Sequence, residues 1–225
     1  MSKRLNYISS ITTKSKLWTI EEACAHLKAV SQVKFTESVD VAIQLGIDTT
    51  KSDQAIRSSS LLPNGVGKKK KILVFTNDII TFDDPNVELA STDTIQSIKD
   101  GKIDFDLIVA THESMKILTS LAKILGPKGL MPNPKVGTLT DKIQDAVHEA
   151  KSKILYRNNK QGMIHAPVGL LSFDVKALKE NLLTLIKDIK SVQPKTSKGV
   201  YLRSVHLSST MGPGLKIQIQ EFINI

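Results

Sequence analysis

Leu62-Pro63-Asn64-Gly65-Val66-Gly67-Lys68-Lys69-Lys70-Lys71 separates two kinds of sequence. Its proline and glycines break regular structure, and its lysine run favours solvent, so the stretch reads as a boundary. Before it, Ser38 to Ile47 alternates strictly, with Val39, Val41, Ile43, Leu45 and Ile47 on one face. That pattern predicts a strand buried on one side. After it, Ile72 to Thr76 is continuously apolar, as is Asp106 to Ala110 beyond its first residue. Runs of this kind predict strands covered on both faces. Helical patterns fall at Thr92 to Lys99, Glu113 to Leu125 and Asp141 to about Ser152. Strands alternating with helices argue for a small open α/β domain with parallel pairing.

Outward from this middle region the character changes again. On the N-terminal side, Thr19-Ile20-Glu21-Glu22 predicts a helix reaching about Val30, with Thr19 as N-cap and Glu22 completing a capping box. On the C-terminal side come a strand at Ile154 to Arg157, an Asn-Asn-Lys-Gln-Gly turn and a strand at Met163 to Val168. Val175, Leu178, Leu182, Leu185, Ile186 and Ile189 have the spacing of a long amphipathic helix. Val200 to Ser208 and Leu215 to Ile219 predict two further strands. The economical arrangement folds the chain ends together, residues 1–67 with 156–225, around an inserted domain of 68–155. The crossings near Lys68 and Tyr156 would then form a hinge.

Two hundred and twenty-five residues suffice for two small domains with separate cores. The formal charge of +9 favours polyanionic partners, nucleic acid first and anionic membrane second. No apolar run approaches the length of a membrane span and no basic amphipathic helix stands out, which leaves nucleic acid. Cys24 is the only cysteine, so no disulfide framework or thiolate metal site arises, and a reducing compartment fits. Its place in the apolar pattern of Ile20 to Val30 predicts a buried thiol. Met1 to Thr19 is basic, rich in Ser and Thr and free of acids. That composition also describes an organellar presequence, but it reads here as an arm that touches RNA.

Chemistry-bearing motifs are few. Gly65-Val66-Gly67-Lys68 suggests a phosphate loop, yet Leu62 stands where that loop needs Gly, and Lys69 where it needs Ser or Thr. An α/β nucleotide-binding module or enzyme remains the alternative class. The five histidines share no metal-ligand spacing, no nucleophile elbow is present, and the carboxylates are scattered. Catalytic residues, metals and cofactors are therefore not expected. Binding signals are better. Lys34-Phe35-Thr36-Glu37 sets an aromatic ring that can stack on a base or ribose beside a cation for phosphate. Ser208-Ser209-Thr210-Met211-Gly212 offers hydroxyls, a soft apolar side chain and a glycine, which suit an RNA backbone. Gly126 to Thr138 packs three Gly, three Pro and two Lys into a rigid, basic loop. Around it, Ser114 to Thr140 holds no acid and four lysines, Lys116, Lys123, Lys128 and Lys135.

Taken together, these segments resemble the large-subunit ribosomal protein L-one family, that of the mobile stalk, in its bacterial form. The likeness is carried by Phe35-Thr36-Glu37-Ser38-Val39, Gln44-Leu45-Gly46-Ile47-Asp48, Leu62-Pro63-Asn64-Gly65 with Gly67-Lys68, and the loop through Gly137-Thr138. It continues in Tyr156-Arg157, Lys160, Gly162-Met163-Ile164-His165, Ser172-Phe173 and Ser208-Ser209-Thr210-Met211-Gly212-Pro213. The resemblance implies an α/β protein: an α+β domain I built from both chain ends, with a Rossmann-like α/β domain II inserted on a hinge. It implies that domain I grips large-subunit rRNA through Phe35, Thr36, Glu37, Ser208, Thr210, Met211 and Gly212. Lys34, Lys160 and His165 would be neighbours, and Arg4 part of the basic arm. It further implies a cytoplasmic, ribosome-bound protein, monomeric when free, that helps exit-site tRNA leave and represses its own operon mRNA. Three positions depart from the family pattern: Ser58 where Gly is usual, Leu170 where Lys is usual, and Trp18 where Tyr is common.

Overall fold

The structure, a computed structural model, describes residues 8, 11–12, 16–68, 70–76, 82, 84–134, 137–197 and 199–222, and of Ser52 and Thr92 the backbone. The chain divides into two compact units, Met1–Gly67 with Ser152–Ile225, and Lys68–Lys151. The first unit begins with α1 (Ile20–Val30), β1 (Ser38–Leu45) and β2 (Arg57–Leu61). The second holds β3 (Ile72–Phe75), β4 (Val87–Leu89), α2 (Thr92–Lys99) and β5 (Leu107–Ala110). It goes on with α3 (Met115–Ser120), α4 (Ala122–Lys128) and α5 (Ile143–Ser152). The first unit then resumes with β6 (Lys153–Arg157), β7 (Met163–Leu170), α6 (Val175–Ser191), β8 (Leu202–Ser209) and β9 (Leu215–Lys216). The sequence pattern puts the return at 156. This division puts it at Ser152, because β6 pairs along its whole length with β2.

In the first unit an antiparallel sheet has the order β7-β1-β8-β9. Strand β1 alternates between half-buried and buried residues throughout, so its apolar phase faces one way. Helices α1 and α6 cover that face. Their Ile20, Cys24, Leu27, Leu178, Leu182, Leu185, Ile186 and Ile189 join one core with Val39, Val41, Ile43 and Leu45. Burial of each large aliphatic side chain stabilises by about 1.5–3 kcal/mol. It also pushes the Cys24 thiol up to about 11, which makes it inert.

The expected cap of α1 is half realised. Thr19 Oγ1 accepts from the Glu22 amide at 3.2 Å, but the Glu22 carboxylate turns to Lys16 at 3.5 Å. Glu221, from the far end of the chain, takes its place and accepts from the Ile20 amide with both oxygens. A carboxylate is favoured at a helix N-terminus whichever segment supplies it.

Strands β2 and β6 form a separate two-stranded ribbon. The sequence pattern does not predict β2, since three consecutive serines are poor strand formers. Two partners hold it there. Strand β6 supplies the ladder, and the Ser60 hydroxyl donates to Asp188 of α6. Ser58 needs no glycine-like freedom; it lies opposite Tyr156 in the ladder, and no non-glycine among the described residues has positive φ.

The boundary loop closes against this unit. Asn181 of α6 is fully buried; its amide donates to Gly65 O at 3.0 Å and Val168 O at 2.8 Å and accepts from the Asn64 amide at 3.0 Å. Gly67 has φ 78°, and a Cβ there would lie 2.7 Å from Leu170 Cδ1. Leu170, where the family pattern has Lys, thus packs over Gly67.

The second unit is a three-stranded parallel sheet, order β4-β3-β5. Alternate residues of β3 and β5 feed two clusters. Ile72, Val74, Leu107 and Val109 meet Ile143, Ala146, Val147 and Ala150 of α5. Leu73, Phe75, Ile108 and Ala110 meet Ile98, Leu118, Leu121 and Leu125 from α2 to α4. Helices on both faces are why these strands read as unbroken apolar runs. Two expectations change here. The helix expected from Glu113 to Leu125 divides at Leu121, whose φ of −96° and ψ of 0° end α3. Helix α4 then runs through Gly126-Pro127-Lys128 and stops at Gly129, φ 74°. The bonds Gly129 N to Gly126 O at 2.9 Å and Leu130 N to Leu125 O at 3.1 Å make a Schellman cap. The rigid loop therefore begins at Gly129 and not at Gly126. Asn133 N donates to the buried Thr138 Oγ1 at 2.9 Å, and Leu139 bridges to Ala110 beside β5. Lys69 and Lys135 lie outside the described residues.

Asn181→Leu should lower the unfolding free energy by about 2–4 kcal/mol, because the buried Val168 carbonyl and two part-buried groups of the loop lose their partner. Denaturant unfolding measures it, and a loss below about 1 kcal/mol would count against the clamp.

Candidate nucleic-acid interface

Two segments distant in sequence meet at one end of β1. Glu37 precedes the strand, and Ser209 to Gly212 follows β8, the neighbour of β1. Glu37 is buried, 1% exposed, and its carboxylate accepts from the Met211 amide at 2.9 Å and the Ser209 hydroxyl at 3.3 Å. Its carbonyl accepts from the Leu171 amide at 2.8 Å, tying in the end of β7. Thr210 makes a second seam with Ser38: its amide donates to Ser38 O at 3.1 Å, and its Oγ1 accepts from the Ser38 amide at 3.1 Å. Gly212 closes the turn onto Ser209 O, and a Cβ on it would come within 2.3 Å of Ser209 Oγ. A buried carboxylate needs such donors, so Glu37 shapes the site from within. The family resemblance groups it with the RNA-contacting residues; in the structure it braces the two segments.

What this bracing leaves outward is specific. Phe35 is 54% exposed and Met211 52% exposed, beside the exposed Lys34, Thr36 and Thr210. Large apolar side chains so exposed on a rigid turn suit a partner's flat faces better than the core. A concavity of about 360 Å³ opens next to Phe35, walled by Lys28, Thr36, Leu171 and Ser172. The Lys28 ammonium is fixed on Phe173 O.

Other expected residues lie along the uncovered face of the four-stranded sheet. Ser208 stands opposite Asp40, and His165 opposite Ala42. Lys160 is exposed at the tip of the 158–162 turn, its carbonyl held by Thr49 Oγ1 at 2.7 Å. That turn adjoins Gln44, six residues along β1 from Ser38 and so roughly 20 Å from the Glu37 brace. The fold thus brings Phe35, Thr36, Glu37, Thr210, Met211 and Gly212 together, with Lys34 and Ser208 adjoining, and strings His165 and Lys160 away from them. Arg4 lies outside the described residues.

The face also holds a pair of residues that sequence reasoning misses. His206 flanks Ala42 on the side opposite His165 and pairs in register with Lys216. Burial, then the Lys216 charge, holds the His206 imidazole below its usual pKa. The signal lies in the alternation: His206 shares the polar phase of Ser204 and Ser208, against Val205 and Leu207.

Gly65-Val66-Gly67-Lys68 does not form a phosphate cradle. The Gly65 carbonyl is taken by Asn181, Gly67 is packed under Leu170 and Phe173, and no helix follows directly. Among the described residues no group of three or more His, Cys, Asp or Glu could hold a metal ion, and no helix is long and apolar enough to cross a membrane.

Residues 27–213 match the profile of the "Ribosomal protein L1p/L10e family". The chain is 44% identical to a protein of Nitrosococcus oceani over 227 residues, 96% of each chain, and that protein is named "Large ribosomal subunit protein uL1". Proteins of the same name from Hahella chejuensis and Francisella tularensis are 45% and 43% identical, covering 96% and 98% of this chain and 96% and 97% of their own.

Glu37→Ala should release the turn. The Met211 amide is expected to exchange with solvent at least tenfold faster in hydrogen-exchange measurements, with about 1–3 kcal/mol of stability lost. Unchanged Met211 protection would dismiss the brace.

Proposed function

The chain belongs to the ribosomal protein L1p/L10e family, and from that premise we propose that its first unit grips stalk rRNA through the turns around Phe35 and Met211. The protein is a structural, non-enzymatic constituent of the large ribosomal subunit, ribosome-bound in the cytoplasm, and it binds large-subunit rRNA. The net charge of +9 supplies the general attraction for phosphate. One observation carries the site assignment: Phe35 and Met211, each more than half exposed, stand on segments locked together by the buried Glu37. Such preorganisation lets apolar faces stack on bases without ordering the backbone at the moment of binding. Thr36, Thr210 and Gly212 offer close backbone approach and hydroxyls to the ribose-phosphate chain, while Lys34, Ser208, Lys160, His165 and Arg4 are peripheral contacts.

Two further roles complete the proposal. The protein assists release of deacylated tRNA from the exit site, and it represses translation of its own operon by binding an mRNA site that mimics its rRNA site. Family membership supports both, and the second needs no additional surface, since one grip serves both RNAs. The free protein acts as a monomer.

Phe35→Ala and Met211→Ala should each weaken binding of a stalk-rRNA fragment by about 1–3 kcal/mol. Stability should change by no more than about 0.5 kcal/mol, because neither side chain is core. Native affinity in either variant, read by titration at fixed salt, would remove that residue from the site.

Replacement of residues 68–151 by a short Gly/Ser linker should leave a cooperatively folding protein whose Kd for the fragment lies within about tenfold of the full chain. A short linker suffices, because Ser152 lies against the segment that leads to Gly67: its carbonyl accepts from the Leu62 amide at 3.1 Å, and a Cβ on Gly65 would lie 3.7 Å from its Oγ. A folded variant without affinity would assign the grip to the second unit.

A further inference from the structure

We propose that the outer face of the β2–β6 ribbon is a second RNA site, where Arg57 and Arg157 clamp the phosphodiester backbone. The proposal rests on the reading of this chain as an rRNA-binding protein, but it concerns a different sheet from the one that carries the Phe35 and Met211 turns.

Register makes the case. Arg57 stands directly opposite Arg157, Ser59 opposite Leu155 and Leu61 opposite Lys153. Directly opposed residues of an antiparallel pair share a face, with Cβ atoms about 4.5–5.5 Å apart, and like charges so placed are destabilising. Both arginines are exposed, and among the described residues no acidic side chain forms an ion pair with either. The whole face reads Arg, Ser, Leu and Lys, Leu, Arg, without an acid. Its two leucines, Leu61 and Leu155, are 50% and 42% exposed. The fold tolerates a repulsive cross-strand pair beside an apolar surface, although a carboxylate at either position would relieve it.

The other face explains why the pair is held rigidly. Ser60, Ile154 and Tyr156 are buried, and Ser60 donates to Asp188 of α6. The Asp188 charge is committed beneath the ribbon and does not compensate the arginines above it. Two guanidiniums planted side by side on a braced strand pair match phosphate oxygens, which accept bidentate bonds from their planar forks. An extended polyanion fits better than a single small anion, because the face continues past the arginines to Leu155, which can lie against ribose.

The test is a titration of the stalk-rRNA fragment against salt with the full-length chain and with the double variant Arg57→Gln, Arg157→Gln. The variant is expected to bind at least tenfold more weakly at low salt, with a salt slope smaller by about two, one for each phosphate that is no longer neutralised. Its own melting temperature should rise, because the cross-strand repulsion is gone. Arg57→Lys with Arg157→Lys should keep the slope and lose only part of the affinity. Unchanged affinity and slope in the folded Gln variant overturn the proposal, as does a fall in melting temperature large enough to account for the weaker binding. If the unaltered chain does not bind the fragment, the rRNA reading itself falls. If it binds and the Gln variant binds equally, only the ribbon site falls.

Discussion

Asn181 sits at the point on which the two-unit arrangement depends. The chain must leave the first unit after Gly67 and re-enter it at Ser152, and a loop held only by its own turns would fray there. The Asn181 side chain instead bonds the Asn64 amide, the Gly65 carbonyl and the Val168 carbonyl of β7. The bond to the Val168 carbonyl is fully buried, so leaving it unmade would be costly, and the other two close the part-buried loop over it. The loop therefore stays shut whatever the chain does between Lys68 and Lys151. Helix α6 acts as the frame: it carries Asn181 for the loop, Asp188 for the ribbon and a row of leucines and isoleucines for the sheet.

A similar device works at the same end of the sheet, where Leu170 of β7 pairs with Ser38 of β1. Glu37 is an acidic residue whose carboxylate accepts from the Ser209 hydroxyl and the Met211 amide, and it joins two segments distant in sequence into one surface. The buried carboxylate fixes the shape, while Phe35 and Met211 are left more than half exposed. This inverts the usual surface, and it is legible only when burial and hydrogen bonding are considered together.

Much of the fold is legible in the sequence because the physical signals are local. Strict alternation in β1, unbroken apolar runs in β3 and β5, and the 3.6-residue spacing of α6 each report which faces are covered. Most of the misses share a cause, which is dependence on distant partners; the course of α4 is the exception, because its cap is local. Strand β2 consists largely of serines and exists because β6 lies beside it. Glu22 yields the N-terminus of α1 to Glu221, from the opposite end of the chain. Helix α4 runs through Pro127 because Gly129 and Leu130 close it with a Schellman cap. At the site, Phe35, Met211 and Gly212 are recognisable by residue type. That Glu37 braces the turn cannot be read without knowing that Met211 lies beside it. The paired arginines are equally hidden, because register between β2 and β6 is invisible until β2 is known to be a strand.

The interleaving of the two units has a consequence for how the protein is made. Strand β1 emerges early in synthesis, yet its neighbours β7 and β8 come last; Ser38 waits for Thr210, 172 residues downstream. The inserted unit has all its strands and helices between Lys68 and Ser152 and can close while the chain is still growing. A truncated product would carry Phe35 but lack the turn at Met211, and its β1 would offer two unpaired edges. The surface that joins Phe35 to Met211 is thus completed only once residue 211 has been made, since the Met211 amide must reach the Glu37 carboxylate 174 residues upstream.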